Sequence, residues 1–166
     1  LPLTHRIYTN GFLFKEKEGL RKVLPKRAEA SKIHKAYFGK LAQGFDVKNE
    51  AGILIKNHTV TENPTPPKSY AFCSDTAYNT SLVPLLHNVD CLYHESTFLE
   101  AHHNLAKPTG HSTTIQAAKI AKQANVKQLI LGHFSTRYNT SLQFKEEAET
   151  VFKPVFLAQA GLSFTF

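Results

Sequence analysis

Three apolar runs in this chain each stop abruptly at residues capable of chemistry, and this recurrence constrains the fold more than any other feature. Tyr70-Ala-Phe-Cys-Ser-Asp75 delivers an aspartate, Cys91-Leu-Tyr-His-Glu95 a His-Glu pair, and Leu129-Ile-Leu-Gly-His133 a histidine. Short apolar runs bounded by polar turns read as buried strands. The end of such a strand is where α/β sheets often place their functional groups. Gly110-His-Ser-Thr113 adds a further histidine in a loop before a helix.

The stretches between these runs supply the other layer. Strands are expected over 70–74, 90–94 and 127–131, with two more over 154–158 and 162–166. Helices are expected over about 78–87, from Ser112 through Ala124 with Ser112 as N-cap, and over 141–150. Strands alternating with helices imply an α/β layered fold. At the start, Leu1 to Phe14 reads as strand, turn and strand, with Asn10-Gly11 as the turn. The 166 residues suit one domain of ordinary size. No apolar run approaches the roughly 20 residues a membrane span needs, and the start at Leu1 is not that of a signal peptide. Cys73 and Cys91 sit inside strand-like runs, where free buried thiols in a reducing compartment fit better than a disulfide framework.

Charge is distributed unevenly. Between Lys15 and Lys48 there are ten Lys/Arg and four acids, so this segment carries +6 of the net +7. It also breaks the strand–helix alternation. A short helix is expected after Pro25, one amphipathic helix over Ile33 to Phe45, a short strand pair around Asn49-Glu-Ala-Gly52, and a loop over Thr61 to Pro67. Residues 15–60 therefore read as a basic insertion between two parts of a core, 1–14 and 61–166. A basic segment on a near-neutral body is either a polyanion-binding appendage or a solvated surface.

Each candidate group has a plainer reading beside the chemical one. Asp75 in Ser-Asp-Thr can bridge cations or cap a turn. Glu95 can orient a histidine for proton transfer, and His111 is either its partner or a surface residue before a helix. His133 is the strongest ligand candidate, and His5 a weaker one. Arg137 either contacts a phosphate or braces its loop. His34, His58, His87, His102 and His103 have no comparable setting. Neither a CxxC knuckle nor an HExxH motif is present.

Taken together, Ser74-Asp-Thr76, Leu92-Tyr-His-Glu-Ser-Thr-Phe98, Thr109-Gly-His-Ser-Thr113 and Leu129-Ile-Leu-Gly-His-Phe-Ser-Thr-Arg-Tyr138 resemble the C-terminal half of the ribonuclease Z (tRNase Z) family, tRNA 3′-processing endonucleases of the metallo-β-lactamase superfamily. Pro2-Leu-Thr-His5-Arg-Ile with Gly11-Phe12 resembles that family's third motif. The resemblance covers essentially the whole chain, with the motifs in order. It implies the second half of a metallo-β-lactamase αββα sandwich with an inserted basic arm. It assigns His5, Asp75 and His133 to a two-zinc site, with Asp75 bridging, and Glu95 and His111 to proton transfer. It makes 15–60 the tRNA-binding arm, with Lys22, Lys26, Arg27 and Lys35 as candidate RNA contacts beside Arg137 near the site. It further implies a cytoplasmic homodimer that cuts the 3′ trailer from precursor tRNA.

Two features depart from the family pattern. The His-x-His-x-Asp-His motif, which supplies most of the metal ligands, is absent. The arm's Gly-Pro element is replaced by Ser31-Lys-Ile-His-Lys-Ala-Tyr-Phe-Gly39. Three ligand residues are too few for a stable dinuclear site, so the chain is expected to be inactive alone and to need a missing N-terminal half. Half a two-sheet sandwich should also leave one sheet face uncovered. The competing readings are a catalytically incomplete RNA- or partner-binding half, and a phosphodiesterase or sulfatase of the same fold acting on small substrates.

Overall fold

The computed structural model describes residues Leu1–Phe166. In chain order the strands are β1 (Phe12–Lys15), β2 (Lys22–Val23), β3 (Val47–Lys48), β4 (Leu54–Ile55), β5 (Thr61–Glu62), β6 (Ser69–Cys73), β7 (Cys91–Glu95), β8 (Gln128–Gly132) and β9 (Val155–Leu157). The helices are α1 (Pro25–Ala30), α2 (Phe38–Ala42), α3 (Asn57–Val60), α4 (Leu82–Leu85), α5 (His103–Thr109), α6 (Thr114–Gln123) and α7 (Leu142–Ala148), with 3-10 turns at Lys35–Tyr37 and Glu100–His102. The chain divides into two compact units, Leu1–Lys15 with Lys68–Phe166, and Glu16–Pro67.

The first unit is a five-stranded sheet in the order β1-β6-β7-β8-β9. β1 runs antiparallel to β6, and the other three pairings are parallel. Parallel pairing makes β6, β7 and β8 end on the same side. Asp75, Glu95 and His133 therefore come together although 58 residues separate the first from the last. Side chains alternate across the sheet. Ala71, Cys73, Leu92, Leu129, Leu131 and Val155 point into a core completed by Ala117, Ala118, Ile120, Ala121 and Phe144 of α6 and α7. Each fully buried leucine there contributes about 1.5–3 kcal/mol. The alternate residues Phe12, Phe14, Tyr70, Phe72, Tyr93, Ile130 and Phe156 take the opposite face. Phe12 and Phe14 are exposed, and Phe72 stacks on Tyr93 at 4.7 Å between centroids.

The second unit has its own small core of Ala28, Ile33, Leu41, Val47 and Val60. Buried Asn57 organises it: its amide donates to the carbonyls of Leu41 and Phe45, and its Oδ1 accepts from Thr61 Oγ1. β2 pairs with β5 and β3 with β4, both antiparallel.

Several local expectations are corrected. Thr61–Pro67 belongs to the second unit, because Thr61 and Glu62 pair with Val23 and Lys22 rather than forming only a connector. The helix expected over Ile33–Phe45 is a 3-10 turn followed by the five residues of α2. The helix expected over 78–87 shrinks to α4, which starts after an Asn79 side chain that bonds the Ser81 N–H and hydroxyl. Residues 162–166 form no strand, while the unexpected α5 forms over His103–Thr109 despite Pro108. α6 is capped by Thr113, not Ser112. Thr113 and Gln116 form a reciprocal capping box, and the Ser112 hydroxyl donates instead to the Thr76 carbonyl.

Candidate active site

Asp75, Glu95, His111 and His133 converge so that one ligand atom from each lies within 4.8 Å of the others. Local backbone geometry positions them. Asp75 and His133 leave their strands in the left-handed region, at φ 58° and 59°. Gly132, before His133, has no room for a side chain: an added Cβ would stand 2.1 Å from the Tyr93 hydroxyl. His111 follows Gly110, the left-handed C-cap of α5, and donates its backbone N–H to the Ala106 carbonyl at 2.9 Å.

Glu95 is the hub. It is fully buried, and its Oε1 accepts from the Thr76 N–H at 2.8 Å and from His111 Nδ1 at 2.7 Å. Its Oε2 accepts from Thr97 Oγ1 at 2.6 Å and from the N–H groups of Thr97 and Ser112 at 3.2 Å. Five donors around one carboxylate compensate its burial.

This network fixes the His133 tautomer. The only proton on Thr97 Oγ1 goes to Glu95, so Oγ1 accepts from His133 Nδ1 at 2.9 Å. Nε2 of a neutral His133 then carries a lone pair, 2.9 Å from Asp75 Oδ1. That oxygen is shut off from solvent and has no hydrogen-bond partner, so the geometry between the two atoms is not that of a hydrogen bond. Two electron-pair donors aimed at one another without a proton between them fit a shared cation.

His5 lies outside the four-residue group. Its Nδ1 donates to the Gly110 carbonyl at 2.8 Å, which leaves Nε2 as the lone-pair nitrogen, and its ring is 4.9 Å from that of His111. The His111 ring lies 5.2 Å from His133, so three imidazoles stand in series. Arg137 is exposed, with its guanidinium 5.8 Å from the centre of the buried Phe98 ring. Lys22, Lys26, Arg27 and Lys35 are exposed residues of the second unit, and Lys22 makes a 4.0 Å pair with Glu62. His34, His58, His87, His102 and His103 are not part of the convergent group.

Burial perturbs the groups behind the site. It lowers the pKa of fully buried His94, whose Nδ1 donates to the Glu95 carbonyl at 2.7 Å. Burial raises the Tyr93 phenol, reinforced by the carboxylates of Glu95 and Asp75. The Cys73 thiol is pushed up to about 12 by burial, and both cysteines are free. Sequence reasoning overlooked Thr76, Thr97 and Ser112, which supply four of the five bonds to Glu95. Three of these four come from backbone N–H groups, which no residue type announces. The one side-chain signal was the Thr97 hydroxyl two residues after Glu95, a pattern shared with ordinary turns.

No protein-family model matches the chain. A curated ribonuclease Z from Porphyromonas gingivalis is 44% identical over 158 residues, which is 95% of this chain and 52% of that protein. Another, from Cytophaga hutchinsonii, is 42% identical over 165 residues, 99% of this chain and 52% of that protein. This chain is homologous to about half of ribonuclease Z. It spans about half the length of the curated ribonuclease Z relatives it matches. Among solved structures, the metallo-β-lactamase fold protein YhfI from Bacillus subtilis aligns with a TM-score of 0.54 at 28% identity, over 57% of this chain and 39% of that one. The mixed α/β architecture is accordingly part of a metallo-β-lactamase fold.

Proposed function

We propose that this chain carries part of the active site of a zinc-dependent endoribonuclease that removes the 3′ trailer from precursor tRNA. The observation that carries the proposal is the facing lone pairs of Asp75 Oδ1 and His133 Nε2, set beside a buried Glu95–His111 pair. Homology to ribonuclease Z supplies the substrate class.

Asp75 and His133 would hold one zinc ion, and His5, through Nε2, would hold the other zinc of the pair that Asp75 shares. When bound, such an ion supplies Lewis acidity to the attacked phosphoryl group and lowers the pKa of a water. The other groups handle the proton. Glu95 takes the Nδ1 proton of His111 as a hydrogen bond and stabilises the imidazolium, leaving Nε2–H as the donor. A water that has given up one proton to solvent adds at phosphorus as hydroxide, the bond to the 3′ oxygen breaks, and His111 protonates that oxygen and regains its proton from solvent. The tRNA leaves with a 3′-hydroxyl and the trailer with a 5′-phosphate. Arg137 supplies a phosphate contact near the site, and Lys22, Lys26, Arg27 and Lys35 contact the tRNA backbone. Family resemblance adds the expectation of two zinc ions in a complete cytoplasmic homodimer.

The test is cleavage of a 3′-extended precursor tRNA by the complete protein, in parallel with this chain and with a small phosphodiester. Cutting only by the complete protein, and only of tRNA, is expected. Cleavage of the small ester alone would favour the small-substrate hydrolase. A second reading, an RNA-binding half without catalysis, is favoured by the chain's match to half of its relatives. Zinc analysis separates the two: binding of less than one ion by this chain and two by the complete protein supports the enzyme.

A further inference from the structure

We propose that the cavity beside His111 binds one nucleoside 5′-monophosphate unit of an RNA strand, with its phosphate against Arg6 and Lys107. The cavity has a volume of about 530 Å³, within the range of small-ligand sites. Its lining contains Arg6, Lys107, His5 and His111 and no carboxylate. Neither Arg6 nor Lys107 takes part in any ion pair of the molecule, and both are exposed. Two permanent cations without counter-charges, beside two imidazoles, form an anion site.

A single local contact brings the two basic residues together. His5 Nδ1 bonds the Gly110 carbonyl, and a Cβ on Gly110 would stand 2.7 Å from that nitrogen and 3.3 Å from the Arg6 backbone nitrogen. Lys107 lies one turn earlier on α5, so Gly110 docks its turn against the segment that carries Arg6.

The cavity is larger than a phosphate requires, and its lining also contains the partly exposed Tyr78 and Gln116. A π face for stacking, and the Gln116 NH2 that remains once its Oε1 accepts from the Thr113 N–H, suit a base. His111 sets the polarity of the strand. This step rests on the proposed reaction: the nucleotide carrying the leaving 3′ oxygen must present it to His111. Its own 5′-phosphate then lies on Arg6 and Lys107. The occupant is the nucleotide that becomes the new 3′ end.

Adenosine 5′-monophosphate has that chemistry, a 5′-phosphate with a 3′-hydroxyl, and is the probe. Amide NMR titration of this chain should perturb Arg6, Lys107 and Gly110, with adenosine and inorganic phosphate each binding at least tenfold more weakly. Arg6→Ala and Lys107→Gln should each weaken binding about tenfold while leaving the remaining spectrum intact. Lys122→Ala, outside the cavity, should bind as the unaltered chain does. Equal binding of adenosine and the monophosphate, shifts confined elsewhere, or unchanged affinity in both variants would overturn the proposal. A 3′-terminal RNA tetranucleotide should bind more tightly than the mononucleotide; weaker binding would assign the cavity to free nucleotides and overturn the RNA assignment. If the mononucleotide binds as described but the complete protein leaves precursor tRNA uncut, the reaction fails and the nucleotide site stands. If tRNA is cut and these variants alter neither KM nor binding, the site fails and the reaction stands.

Discussion

The two units of this chain use polar groups in opposite ways. In the sheet unit, Glu95 is fully buried and accepts five hydrogen bonds, and Asp75 and His133 leave their strands in the left-handed region. In the Glu16–Pro67 unit the polar organiser, Asn57, bonds mainly to backbone, and the basic side chains stand in solvent. The first arrangement holds a few atoms at fixed separations. The second displays charge with little demand on position. Their substitutions should therefore fail in different ways.

The largest effect is expected at the hub. Glu95→Gln keeps the shape but leaves only one good acceptor oxygen for five donors. In the complete protein it should lower the single-turnover cleavage rate by about 10²–10⁴-fold, the range of general acid–base contributions. A loss below tenfold would mean that the Glu95–His111 pair only braces the loop. Gly132→Ala should destabilise the sheet unit by about 1–3 kcal/mol through overpacking against Tyr93. Thermal unfolding checks this, and an unchanged midpoint would mean that the tyrosine ring yields freely.

Asp90 gives a smaller, pH-dependent effect. Its burial alone would raise its pKa, but bonds from Lys127 and Ser69 outweigh burial and bring the carboxyl from 3.8 to about 2. The folded pKa is the lower one, so its contribution is complete above about pH 4 and disappears as pH falls towards 2. Asp90→Asn should cost about 1–2 kcal/mol at neutral pH and less in acid. An equal cost at pH 7 and pH 2.5, read from denaturant midpoints, would exclude the charge as the cause.

The smallest effect on the fold is expected in the basic unit. Alanine at Lys22, Lys26, Arg27 and Lys35 should change stability by less than about 0.5 kcal/mol per site. The same four changes should reduce the salt dependence of tRNA binding by about 3–4 in log–log slope. An unchanged slope between 50 and 200 mM salt would remove these residues from the RNA contacts.

The strands that carry the site were legible because they are buried on the helix-facing side and end abruptly. Leu129-Ile-Leu before Gly-His leaves little choice of element. The convergence of their ends was also legible, since alternating strands and helices imply parallel order. The internal wiring was not. Ser112 and Thr113 are equally plausible caps by residue type, and the choice depends on where the Thr76 carbonyl and Glu95 lie. Thr97 fixes the His133 tautomer through two bonds, one of them spanning 36 residues. The contraction of the helix expected over 78–87 has the same origin, in a side chain of Asn79 that holds Ser81 and reaches back to Thr4.

The backbone at Asp75 and His133 has a consequence for any attempt to improve this protein. Both residues sit where L side chains are disfavoured by roughly 1–2 kcal/mol, and glycine is not. A library sorted for heat resistance alone would accumulate glycine at 75 and 133. Its winners would melt later and no longer present the carboxylate and imidazole on which the proposed chemistry depends.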